Sequence, residues 1–130
     1  MDSAKIIGPT QWVNSGDVVS QMTAAVGPNK LYTVVVYNTG ASDVYVQVFD
    51  AAAPPNDGTW LTIGAPVALF RCGADAQGAL DMGTGGRGMQ KGTVVMISTT
   101  LGAPATPGLT KGGTVLIDVG FRKLTSAGEL

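Results

Sequence analysis

The chain has 130 residues, enough for one domain with a real hydrophobic core and no need of covalent staples. Only 13% of its residues are charged, against roughly 25% in an ordinary soluble domain, while 45% are hydrophobic. Eight basic and nine acidic residues, spread singly, give a net charge of −1 and no basic stripe, which argues against nucleic acid as a partner.

The shortage of charge points to a surface partly covered by other subunits or by a larger assembly. Histidine is absent. A metal centre of the cupin kind therefore lacks its ligands, and a serine or cysteine triad lacks its usual base. No cofactor, no metal and no catalytic residue is expected. The single cysteine, Cys72, cannot form an internal disulfide and follows the apolar run at residues 67–70, as a packed thiol would. The first nine residues, MDSAKIIGP, lack the apolar core of a signal peptide. No run approaches the roughly 18 apolar residues of a membrane span. A soluble product of a cytoplasm, without membrane contact, is expected.

An opening strand is expected at residues 4–7, ended by Gly8 and Pro9, so that residues 1–10 form an amino-terminal arm or edge strand. Residues 11–26, QWVNSGDVVSQMTAAV, read as two short strands around Asn14-Ser15-Gly16-Asp17. The spacing of Val19, Met22, Ala25 and Val26 also fits a helical turn over residues 20–26. Residues 31–50, LYTVVVYNTGASDVYVQVFD, hold two β-rich runs separated by Asn38-Thr39-Gly40-Ala41-Ser42, which is how a hairpin is written. In the second run Val44, Val46 and Val48 alternate with Tyr45, Gln47 and Phe49, so one face is aliphatic and the other aromatic with one polar group. The first run is apolar on both faces. A strand of that kind lies within a sheet covered on both sides, or covered on one side by another chain.

Residues 50–58 form a loop, because Pro54 and Pro55 deny ladder donors and Asn56-Asp57-Gly58 makes a tight turn. Further strands are expected at 59–63, 65–71, 78–82, 93–100 and 114–122. Glycine-rich breaks lie at 83–88 and 101–113, and residues 123–130 read as a flexible tail. About eight short strands, almost no helix and few gaps long enough for parallel crossovers predict one all-β domain over residues 1–130. Its fold class is an antiparallel β-sandwich, jelly-roll-like, with an immunoglobulin-like sandwich as the second choice.

Gly83-Thr84-Gly85-Gly86-Arg87-Gly88 satisfies the G-x-G-x-x-G pattern, but that fingerprint needs a helix after its glycines, and here a strand follows. Walker spacing fails at Met89 and Gln90. Carboxylates for glycoside hydrolysis would have to come from Asp43, Asp50, Asp57, Asp75, Asp81 and Asp118. Several of these sit at strand ends or in turns, where aspartate serves local hydrogen bonds, and an enzyme is not expected. Trp12, Trp60, Tyr32, Tyr37 and Tyr45 offer either a sugar-stacking platform or ordinary packing. Asn56 and Asp57 suggest calcium only weakly, without EF-hand spacing.

The phrases Val36-Tyr37-Asn38-Thr39-Gly40, Tyr45-Val46-Gln47-Val48-Phe49-Asp50, Pro54-Pro55-Asn56-Asp57-Gly58, Gly86-Arg87-Gly88-Met89 and Gly92-Thr93-Val94-Val95 are arranged as in a group of small tailed-bacteriophage virion proteins. The resemblance covers roughly residues 30–122. It implies a jelly-roll protein carried on a virion assembled in the host cytoplasm, as a capsid decoration protein or as part of a fibre or spike. It also implies a homotrimer whose further partner is the major capsid protein or another virion protein. A carbohydrate- or receptor-binding module is the alternative. Because the two runs of the hairpin carry more apolar faces than one core requires, the expected subunit interface is Tyr32, Val34, Val36, Tyr45 and Phe49.

Overall fold

The computed structural model describes residues 8–54, 65–98, 114–126 and 128. Nine strands occur among them: β1 Gln11–Asn14, β2 Gln21–Val26, β3 Asn29–Asn38, β4 Val44–Phe49, β5 Ala68–Cys72, β6 Ala76–Asp81, β7 Arg87–Met89, β8 Gly92–Ser98 and β9 Val115–Lys123. No α-helix is present among the described residues. The first sheet runs β1-β9-β3-β6, with β7 also paired to β3, and the second runs β2-β8-β4-β5. Every pairing is antiparallel.

The pairs nest. β1 lies with β9, β2 with β8, β3 with β6 and β7, and β4 with β5, as if one long antiparallel ribbon had been rolled up. Successive pairs alternate between the sheets, which is the jelly-roll arrangement of the sandwich. Alternation along each strand builds the core. Val34 and Val36 of β3 and Ile117 and Val119 of β9 meet Val46 and Val48 of β4 and Val95 and Ile97 of β8, all at 5% exposure or less.

The hairpin expected from residues 31–49 does not form: β3 and β4 belong to different sheets. Each strand has an aliphatic stripe, and two such stripes bury more surface facing each other across a core than lying side by side. The connection is fixed by Asn38, which is fully buried. Its amide donates to the carbonyls of Ser42 at 2.7 Å and Gly73 at 3.1 Å. Its oxygen accepts from the Gly40 N–H and the Thr114 hydroxyl, both at 3.0 Å. These bonds tie residues 39–43 to the β5–β6 turn and to the start of β9.

Residues 11–26 form the two strands β1 and β2, and the helical alternative is not realised. β2 pairs with β8 through a register shift between Thr23 and Ala25. The strands expected at 65–71, 78–82, 93–100 and 114–122 correspond to β5, β6, β8 and β9, with shifted ends. β9 runs on to Lys123, and Leu124 is buried with its N–H bonded to the Pro28 carbonyl at 3.0 Å. β7 was not expected within the glycine-rich break. The strands expected at 4–7 and 59–63 and the loop at 101–113 lie outside the described residues.

Candidate functional site

The outer faces of the two sheets differ. On the second sheet Phe49, Val94 and Met96 form a small cluster with Ala51, all buried, and Gln47 beside them is buried as well. The outer face of the first sheet is open. Its register sets out three rows: Trp12, Gly120, Thr33 and Asp81; then Asn14, Asp118, Val35 and Ala79; then Leu116, Tyr37 and Gln77. Trp12 is 54% exposed, Tyr37 41% and Leu116 36%. The usual alternation of an antiparallel sheet places polar groups on a solvated face, so an exposed aromatic and aliphatic set there is a candidate contact surface.

The sequence-predicted interface residues are scattered by the fold. Val34 and Val36 have no exposure and face the core. Phe49 is buried in the outer cluster of the second sheet, and Tyr45 on the same face is half-buried. Tyr32 is 5% exposed, and its ring lies under the turn after β6, where a Cβ on Gly86 would come within 3.0 Å of it. The residues that β3 offers to solvent are instead Thr33, Val35 and Tyr37. In β9 the signal was the alternation of Leu116, Asp118 and Gly120 with Val115, Ile117 and Val119, which marks an inner and an outer face in advance.

Two shallow depressions mark the open face. One, of about 200 Å³, lies between Val35, Tyr37, Gln77, Leu116 and Asp118. The other, of about 410 Å³, lies at the opposite end of the face, among Trp12, Tyr32, Thr33, Asp81 and Thr84. Trp12 stands over Gly120, where a Cβ would come within 2.9 Å of the ring atoms Cζ2 and Cη2. The glycine therefore leaves room for the indole to sit down on the sheet.

The aspartates weighed as a catalytic pair hold backbone and side chains in place. Asp50 accepts the Gln90 and Lys91 N–H groups at 3.0 and 2.8 Å, and so closes the β7–β8 turn. Asp43 pairs with Arg71 at 3.3 Å and accepts the Ala74 N–H at 3.1 Å. Asp75 accepts the Tyr37 hydroxyl at 3.0 Å, and Asp81 accepts the Gly83 N–H at 2.8 Å. Asp118 stands in the middle row of the open face, and Asp57 and Trp60 lie outside the described residues. Among the described residues no three histidine, cysteine, aspartate or glutamate side chains gather as metal ligands do. Cys72 is buried, its thiol donates to the Ala76 carbonyl at 3.2 Å, and burial pushes its pKa up. The glycine-rich segment turns with positive φ at Gly83 and Gly86 and enters β7, a strand where a dinucleotide site needs a helix.

No family model matches the chain, and no curated protein matches it. Among solved structures, the coat protein of Tobacco streak virus is similar to it at 12% identity, over 88% of this chain and 87% of that one, with a TM-score of 0.40.

Proposed function

We propose that the protein is a structural component of a virion, a jelly-roll subunit that associates as a homotrimer and decorates the head of a tailed bacteriophage. Its partners are further copies of itself and the major capsid protein or another virion protein. One observation carries the self-association: the first sheet leaves Val35, Tyr37 and Leu116 on an open face, while on the second sheet the centre of the outer face, at Phe49, Val94 and Met96, is covered and the exposed apolar residues Val26 and Leu69 stand on its two edge strands. Covering that face removes apolar surface from water, which favours association at about 25 cal/mol per Å². In a closed ring of three, one patch meets a different patch on the next copy, so the open face need not meet itself.

The size of the face agrees with a subunit held by more than one contact. The contact takes in the rows of Val35 and Tyr37 and leaves the Trp12 row at the far end open; even the whole face is only roughly 30 Å along the ten residues of β3 by roughly 19 Å across four strands. That is less than the about 800 Å² per partner of a standard stable interface, so contact with the shell has a part to supply. The tailed-phage assignment rests on the resemblance over residues 30–122. Analytical ultracentrifugation at micromolar concentration should give one species of three 13.2 kDa chains. A well-behaved monomer under those conditions would defeat the oligomer reading. Electron microscopy of particles made without the protein should show heads lacking an ornament; heads identical to the complete particle would defeat the decoration role.

A further inference from the structure

We infer that the depression beside Trp12 binds a pyranose sugar, a function separate from trimer formation. The depression measures about 410 Å³, within the range of small-ligand sites. Trp12 is the most exposed aromatic among the described residues at 54%, yet its indole does not stand free. It rests over Gly120, whose missing Cβ makes the space. An aromatic held against a sheet loses little freedom when a ligand lands on it, which favours binding.

The surrounding groups are of the right kind. One oxygen of Asp81 is occupied by the Gly83 N–H at 2.8 Å, which orients the carboxylate, and the residue is otherwise exposed. Thr33 and Thr84 add hydroxyl groups to the same rim. Tyr32 sits buried at the border under Gly86, so this side of the depression is a packed ring and not a loose chain. A pyranose has one face made of C–H bonds, whose slight positive charge suits the negative face of an indole. Its hydroxyl rim then meets a carboxylate and two hydroxyls that donate or accept as required. A quaternary ammonium group would gain from Trp12 and Asp81 but can neither donate to nor accept from the threonine hydroxyls.

The site is two rows away from Leu116 and Tyr37 along the same face, so sugar binding and self-association can be removed separately. The test is a titration of the full-length protein with the methyl glycosides of glucose, galactose, mannose and N-acetylglucosamine, read by ligand-observed NMR, with choline as the cationic control. Saturable binding of at least one glycoside is expected, weakened about tenfold or more by both Trp12→Ala and Asp81→Asn. Circular dichroism and sedimentation of both variants should match the wild type, which separates loss of the site from loss of the fold or of the oligomer. Absence of saturable binding to all four glycosides, binding that survives Trp12→Ala in a folded variant, or preference for choline would each overturn the inference. A monomeric wild type that still binds a glycoside would remove the trimer and leave the sugar site standing.

Discussion

Two residues set limits that substitution can test directly. Gly92 has φ of +153°, and a Cβ there would come within 2.5 Å of the backbone oxygens of both Ala25 and Ala51. Backbone atoms of two neighbouring segments cannot yield as a side-chain tip can. Gly92→Ala is therefore expected to cost about 3 kcal/mol from strain and overpacking together, seen as a fall in the urea midpoint. Tyr37 gives a pH-dependent counterpart. Its hydrogen bond to Asp75, then the negative charge of Asp75, then partial burial raise the phenol above its usual value near 10. The folded chain thus holds this proton more tightly than the unfolded chain does. Stability tied to it is complete below about pH 10 and is lost as pH rises through the folded value. Ultraviolet titration of the wild type should show a late phenol transition that is lost in Tyr37→Phe, a variant whose stability should fall less steeply in alkali.

At the scale of elements, most strands were legible and their partners were not. Alternation and β-branched runs locate β3, β4, β8 and β9, because each needs an aliphatic stripe for the core. A five-residue connection has the same composition whether it closes a hairpin or crosses a sandwich. The deciding information lies in the partners of Asn38, which sit 35 residues away at Gly73 and 76 away at Thr114. Asn38→Ala removes four bonds from a buried site and is expected to cost about 3 kcal/mol, while Thr114→Val, which removes one, should cost about 1 kcal/mol. Chemical denaturation of the two variants checks the ratio. Val34 and Val36, two of the five expected interface residues, face the core for a related reason. β3 is apolar at both parities, and its register with β9 shifts between Leu31 and Thr33. Leu31 and Val34, three apart, therefore both face inward, which strict alternation forbids. β7 has three residues, one of them glycine, and offers too short a pattern to read.

Across the whole molecule the proposed contact at the centre of the first sheet's outer face can be tested apart from folding, because the centre of the second sheet's outer face is already covered. Replacing Val35 and Leu116 together by lysine places charge on the open face, where it can stay hydrated. The double variant is expected to keep the wild-type circular dichroism spectrum and to sediment as a monomer. Val46→Lys buries the same charge between the sheets, where Val46 has no exposure, and should unfold the chain. If the surface double variant unfolds as well, the open face is part of the fold's own stability and the separation fails. The absence of histidine and the scarcity of charge were readable at once. The open face was not, because it depends on which strand of each nested pair lies next to which.

The nesting of the strand pairs also orders events in time. β4 and β5 close the innermost and shortest loop of the roll, whereas β1 and β9 close the outermost, joining Gln11 to Phe121. Loop-closure entropy and contact order make such distant pairings late and slow. During synthesis β3 must wait with one edge unpaired until β9 has left the ribosome. Leu116, Asp118 and Gly120 arrive with that same strand, so the open face and the bed of Trp12 come into being only when β9 docks. If the chain self-associates as proposed, a nascent chain has no completed face by which to recruit a neighbour until β9 has docked.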